Sequence, residues 1–316
     1  MIKNIDITVI VHGPVQNYKE RQHHEEGITQ RCLDSIRTVL PGSTIILSTW
    51  KGQNLENLDF DILIEEDDIG ENKDDYAPKN YNRQVHLVRK GLDVTTTKYA
   101  IKLRSDNYLF NDNFKIEQKK YANINRPHPT LKERVLINAN LSRRTSNGFY
   151  VISSLSDFFY YGLTADLKTI WDQPNFDKNP LAEKLIAKRR KYSHYPKLEA
   201  EQIYCQLWVC ALDADIPILG YRYQANNSDI QSWNKFIANN FIINEADTIG
   251  LGLRAISIRK KRINEYNFYD WLNLYKIYCN NAINIPFNYK NYVINLKRKF
   301  HFPLSKLWTK FKYNLK

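Results

Sequence analysis

The apolar run Ile7-Thr8-Val9-Ile10-Val11 stops abruptly at His12-Gly13-Pro14, and the pattern after this stop narrows the available folds more than anything else in the chain. From Gly27 to Leu40 the residues Ile28, Cys32, Leu33, Ile36, Val39 and Leu40 keep helical spacing, with Thr29 as a candidate N-cap and Pro41-Gly42 as the stop. Two more short apolar runs come next, Thr44 to Leu47 and Phe60 to Ile64. Strand, helix, strand in this order predicts a parallel-type sheet flanked by helices, the α/β class. The first run is nearly continuous in apolar residues, which suits a strand buried on both faces.

A polar stretch, Glu71 to Lys79, leads into Asn80-Tyr81-Asn82-Arg83-Gln84, which opens a helix with Tyr81, Val85, Val88 and Leu92 on one stripe and Gly91 marking its end. The strand Tyr99-Ala100-Ile101 then runs into Lys102-Leu103-Arg104-Ser105-Asp106-Asn107. Further on, Val135 to Ala139 and Gly148 to Val151 read as strands. Ser156 to Gly162 and Thr164 to Leu167 read as short helical turns, and Leu181 to Tyr195 as an exposed basic segment. Glu199 to Leu212 is apolar on most sides, so it predicts a buried helix with Glu201 and Gln202 in its first turn.

In open α/β sheets, ligands sit beyond the carboxyl ends of the strands. Four polar groups converge there on this reading: His12-Gly13-Pro14, Asp67 with Asp68, Arg83 beside Asn82 at a helix start, and Lys102-Leu103-Arg104-Ser105-Asp106. A nucleotide needs this combination, with an acceptor for a base imide N–H, a cation for the diphosphate and a carboxylate for a bridging metal. Asp106 is the candidate ligand for a divalent cation whose shell substrate phosphates complete. Arg104 or Lys102 would neutralise the same phosphates, and helix N-termini attract anions near Asn82 and Arg83. His23-His24 beside Glu25-Glu26 reads as a solvated segment, because sequential neighbours on a helix do not face one another.

Charge divides the chain unevenly. From Arg254 to Lys316 there are 14 Lys and Arg against Glu265 and Asp270, so this tail carries the entire net charge of +12. The expected division is therefore a body over residues 1–253 and a basic, aromatic, helical extension over 254–316. Its last part interleaves Tyr289, Tyr292, Phe300, Phe302, Leu304, Leu307, Trp308, Phe311 and Tyr313 with Lys and Arg, the composition of an interfacial segment on anionic lipid. The four cysteines form no C-x-x-C pair, which suits reduced thiols in the cytoplasm. No signal-peptide pattern and no run of about 20 apolar residues is present.

Several stretches, taken in order, resemble the WavE lipopolysaccharide-synthesis family: Val11-His12-Gly13-Pro14-Val15, Cys32 to Arg37, Ile45 to Gly52, Asn82-Arg83-Gln84, Lys102 to Asp106, Ser156-Asp157-Phe158-Phe159 through Asp166-Leu167, and Glu201-Gln202. The resemblance covers roughly residues 5 to 250. It implies a bacterial glycosyltransferase with a GT-A-like, Rossmann-type mixed sheet, moving a sugar from a nucleotide-sugar donor to a lipopolysaccharide, lipooligosaccharide or capsule acceptor. It sets Asp106 where a D-x-D motif would have its last carboxylate, with Mn²⁺ or Mg²⁺ as the implied cofactor, while Arg104 stands where the first Asp would be and can itself replace the ion. Glu201 is the candidate catalytic base, followed by Asp166 and Asp157. The expected partners are the donor, a lipid-linked or oligosaccharide acceptor and the anionic inner leaflet, which places the protein on the inner face of a bacterial inner membrane. Two rivals are a nucleotidyltransferase making an activated sugar and a nucleic-acid-binding protein. The first lacks a Gly-rich phosphate loop and the second any RRM, KH or helix-turn-helix signature.

Overall fold

The computed structural model describes residues 2–18, 25–72, 78–213, 215–258 and 263–315. Its strands are β1 (Ile7–His12), β2 (Thr44–Trp50), β3 (Ile62–Glu66), β4 (Tyr99–Arg104), β5 (Asn107–Leu109), β6 (Val135–Asn138), β7 (Thr145–Ser146), β8 (Phe149–Tyr150), β9 (Phe159–Leu163), β10 (Phe241–Asn244) and β11 (Leu251–Leu253). Its helices are α1 (Ile28–Val39), α2 (Tyr81–Asp93), α3 (Asn113–Tyr121), α4 (Thr164–Trp171), α5 (Pro180–Lys191), α6 (Ala200–Leu212), α7 (Asn227–Asn240), α8 (Phe268–Tyr278) and α9 (Tyr289–Tyr313). The expected α/β class, mixed sheet with flanking helices and helical C-terminal extension are all present.

Seven strands form the central sheet in the order β10-β6-β9-β4-β1-β2-β3. The pairs β1–β2, β2–β3, β1–β4 and β10–β6 are parallel, as the strand–helix rhythm predicts. β9 is the exception and runs antiparallel to both neighbours, β4 and β6. The segment Ser156 to Gly162 was expected to form a helical turn and instead supplies this strand. Its run Phe158-Phe159-Tyr160-Tyr161 is buried throughout, and aromatic residues favour a pleated, packed surface over an isolated turn. The alternation is clear: Tyr160 meets Trp171 of α4 on one face, while Phe159 and Tyr161 meet Phe114 of α3 on the other.

Two smaller expectations also change. Gly91 does not end α2, which continues to Asp93. A Cβ at Gly91 would lie 2.4 Å from Cγ2 of Ile10, so the residue permits close helix–sheet packing instead of a stop. The segment Leu181 to Tyr195 mostly forms α5, which buries Ala182, Leu185 and Arg189, so it is not exposed all round. Beyond the charge-defined division at 253/254, Tyr266, Trp271 and Tyr275 belong to the same core as Phe241, and the Trp271 indole donates to the Phe241 carbonyl at 2.6 Å. Among the described residues, no helix is long and apolar enough to cross a membrane.

A candidate donor site at the carboxyl edge of the sheet

The site is built where β1 and β4 leave the sheet side by side, His12 paired with Arg104. The Ser105 amide donates to the His12 carbonyl at 3.0 Å, and the Ser105 hydroxyl donates to the Pro14 carbonyl at 2.8 Å. Gly13 has φ +124°, and a Cβ there would stand 2.9 Å from that hydroxyl, so only glycine lets the two exits touch. Ser105 therefore staples the rim and has no hydroxyl proton left for a ligand. His12 is buried and its Nε2 has no partner among the described residues, while burial first and then Lys102 and Arg104 push its pKa well down. It is a neutral ring at the rim.

Direction along the sheet decides which carboxylates reach this edge. Because β9 is reversed, Phe159 lies opposite Leu103 and Leu163 opposite Tyr99. The residues before β9 thus meet the end of β4, and the residues after it meet its beginning. Asp157 accepts from Gln84 Nε2 at 2.8 Å and lies 3.5 Å from Arg104 Nη1. Burial pushes its carboxyl up, but Arg104, Lys102 and Gln84 outweigh this, so its pKa is lowered. Asp166 sits at the opposite edge, about 17 Å away at ~3.3 Å per strand residue. Its oxygens accept from the Lys132 and Glu133 amides at 2.7 and 2.9 Å. It clamps a loop and has no access to the rim, which corrects its candidacy as a catalytic base.

Lys102 also departs from expectation. It is fully buried, points back under the sheet with its ammonium 4.3 Å from the Trp171 ring centroid, and donates to the Asp157 carbonyl. Burial lowers its pKa to about 7. It braces the rim through the Asp157 carbonyl and exposes no surface of its own. Arg104, two residues on, remains 26% exposed, lies 5.0 Å from the Phe158 ring centroid and binds Asp106 with two parallel bonds of 3.0 and 2.9 Å.

Asp106 itself is 1% exposed, and Arg254 reaches its Oδ2 at 2.9 Å. Both carboxylate oxygens are thus engaged by arginines. Burial pushes its carboxyl up, but Arg104 and then Arg254 outweigh it, so the group is held in its ionised form. Among the described residues, no three His, Cys, Asp or Glu side chains are placed to hold a metal. A hard divalent cation takes several oxygen ligands, and the Asp106 carboxylate is already bound by two arginines. The residues as arranged do not fit the expected Mn²⁺ or Mg²⁺. His23 and His24 lie outside the described residues.

The remaining expected donor residues are spread along the same edge. Arg83 Nε donates to Asp68 Oδ1 at 2.7 Å, and Lys51 pairs with Asp67 at 2.9 Å on the exposed flank beyond β3. The Arg83 hydrogen bond lowers the Asp68 pKa. The Asn82 side chain accepts from the Phe176 amide at 2.7 Å and the Asn82 backbone N–H donates to Asn72 Oδ1 at 3.0 Å, so the residue fixes the start of α2.

Glu201 lies in the first turn of α6. Glu199 caps α6 through a reciprocal capping box with Gln202 and pairs with Arg143 at 2.7 Å and Arg222 at 3.1 Å. That network pins the first turn of α6 to the rim. Glu201 is partly exposed there, and burial followed by the charge of Asp157 raises its pKa. One turn on, Tyr204 stacks on Tyr81 with centroids 4.8 Å apart. Sequence reasoning did not single out Arg254, Gln84 or Tyr204 as site residues. Gln84 and Tyr204 belong to or adjoin the motifs that carry the family resemblance, but nothing local marks Arg254. It arrives because β11 pairs with β5, Leu253 opposite Asn107.

A family model described as WavE lipopolysaccharide synthesis matches residues 7–301. No curated protein matches the chain. Among solved structures, the crystal structure of HddC from Yersinia pseudotuberculosis complexed with GMP-PN aligns at 12% identity and a TM-score of 0.30, over 54% of this chain and 80% of that one. At that score the alignment bears on neither fold nor function.

Proposed function

The chain belongs to the WavE lipopolysaccharide-synthesis family, and from that premise we propose that it is a glycosyltransferase of the GT-A type. The observation that carries this reading is a pair of carboxylates at one arginine-bearing strand edge whose pKa values are driven apart, Asp157 down and Glu201 up. Such divergence separates a permanently ionised group from one suited to exchange protons. Asp157 holds the Arg104 guanidinium in place. Glu201 takes the proton of the acceptor hydroxyl as its oxygen bonds to the anomeric carbon of the donor sugar. The bond from that carbon to the diphosphate breaks, and its electron pair leaves on the diphosphate oxygen. His12, paired with Arg104 at the strand end, faces the donor. No step passes through a metal.

The acceptor in this reading is a lipid-linked or growing glycan, met at the anionic inner leaflet. Helix α9 supports that part. Its Arg298 is 5% exposed and bound to Asp270 at 2.8 Å, which Arg144 also reaches at 2.8 Å, so one face is locked to the body. On the opposite face Phe300, Leu304, Leu307, Trp308 and Phe311 form a stripe at helical spacing, each at least 60% exposed. Lys297, Lys299, Lys306, Lys310 and Lys312 share the helix with it. Apolar residues exposed in a row beside lysines suit the headgroup–acyl boundary.

The test is a panel of nucleoside diphosphate sugars, read by thermal shift and by release of nucleoside diphosphate. One panel member is expected to raise the melting temperature and be slowly hydrolysed. A panel with no binder and no release overturns the reading, and consumption of a nucleoside triphosphate with a sugar phosphate would replace it with nucleotidyl transfer.

A further inference from the structure

We propose that Asp106 is the hub of a two-arginine clamp, in which Arg104 and Arg254 together receive the donor's diphosphate in place of a divalent metal. The inference rests on the glycosyltransferase reading and adds Arg254, a residue of the C-terminal segment, to its machinery.

The geometry is specific. Arg104 binds Asp106 through Nε and Nη2, and Arg254 binds the same Oδ2 through Nη1. Two contacts of 2.9 Å to one oxygen hold the two nitrogens within about 5.8 Å of each other. Bringing two guanidinium groups that close is unfavourable unless anions surround them. Inside the rim one carboxylate serves both, with Asp157 3.5 Å from Arg104 as the only other acid bonded to either among the described residues. Two guanidinium groups against two ionised carboxylates leave no net charge over, but they leave N–H donors unused. Arg254 Nε donates to the Ser257 hydroxyl at 3.1 Å, and among the described residues its Nη2 has no partner. Arg104 and Arg254 are 26% and 23% exposed, while the carboxylate between them is 1% exposed. The hub is sealed and the two forks turn an edge outward.

A fully engaged carboxylate is poor as a metal ligand and good as an anchor. An ion entering at Asp106 would have to break at least one charge-assisted bond and leave an arginine unpaired. A diphosphate arriving from outside needs no such exchange, because it takes donors the hub does not use. Planar guanidinium forks match phosphate oxygens with two bonds at once, which a lysine at either place does not reproduce.

Isothermal titration with inorganic pyrophosphate and with a set of nucleoside diphosphates tests this, each run once with EDTA and once with Mn²⁺. The clamp requires binding in EDTA, weakened roughly 10–100-fold by Arg254→Ala and by less in Arg254→Lys. Asp106→Asn separates the two roles: as a hub it weakens binding in EDTA and in Mn²⁺ alike, whereas a metal ligand would matter only with Mn²⁺. Circular dichroism checks that each variant is folded, and Arg254→Gln replaces Arg254→Ala should the latter not fold. Binding that needs Mn²⁺, or that ignores Arg254, overturns the clamp while leaving the glycosyltransferase reading intact. Absence of any binding under both conditions takes down that reading as well.

Discussion

Replacing Lys102 with Met exchanges a fully buried amine for an apolar side chain of similar length, and its consequence reverses with pH. Burial dominates the lysine's pKa, lowering it from 10.5 to about 7. A lysine whose folded value lies below its unfolded value binds fewer protons folded than unfolded, so between those values stability rises with pH. At the linkage slope for one proton, the folded state loses about 5 kcal/mol at pH 6 and only about 1 kcal/mol at pH 9.5. Methionine has no such loss, but it leaves the Asp157 carbonyl without the Nζ donor, at a cost of about 1–3 kcal/mol. Lys102→Met should therefore be more stable than the wild type by about 2–4 kcal/mol at pH 6, and no better, or worse, at pH 9.5. Urea titrations at both pH values measure the difference directly. A gap of the same sign and size at both would refute the placement of a depressed lysine under the rim. Pyrophosphate affinity should survive the change, because this amine faces Trp171 and not the solvent.

Glu201→Gln should lower turnover by roughly 10²–10⁴-fold with donor affinity unchanged, as steady-state kinetics beside titration calorimetry would show. In the wild type the base must be deprotonated, and its pKa is raised by burial and Asp157, so the acid limb of the pH–rate profile should sit above the usual glutamate range; Asp157→Asn should move it down. Asp166→Asn replaces one of two amide acceptors and should cost about 1–3 kcal/mol in chemical denaturation without altering the rate on a saturating donor. Leu304→Glu combined with Leu307→Glu and Phe311→Glu should abolish flotation with phosphatidylglycerol vesicles while leaving turnover on a soluble acceptor unchanged; equal flotation would sink the membrane reading.

The first half of the sheet was legible because its signals are local. Apolar runs ending in Gly, Pro or charge, separated by a helix-spaced stripe, give parallel strands and put their exits at one edge. His12, Arg104, Ser105 and Asp106 were placed at one edge that way. What was not legible was strand direction. Asp157 and Asp166 lie nine residues apart on either side of β9, and only its antiparallel register brings the first beside Arg104 and sends the second to the far edge. A four-residue aromatic run has no sequence mark of its direction. Nor does a run ending in R-S-D disclose that its last carboxylate turns inward, since burial depends on what packs over it, and that is a segment almost 150 residues downstream.

That downstream segment changes how the charge asymmetry is understood. A neutral body with a +12 tail reads as an enzyme with an appended basic surface. Yet the tail's first arginine lies in the candidate site, and Trp271 and Tyr275 fill the core. The same stretch then holds α9 in place, with Arg298 donating to the Ile263 and Glu265 carbonyls and pairing with Asp270. The cation at Asp106 and the exposed apolar helix thus belong to the same basic stretch of the chain. Cutting the chain at residue 253 would remove an arginine from Asp106 and several aromatic side chains from the core, so loss of activity in such a truncation would say nothing about membranes. Only substitutions confined to the outward face of α9 separate the two roles, because those side chains are exposed and the bonds that fix the helix lie on its other side.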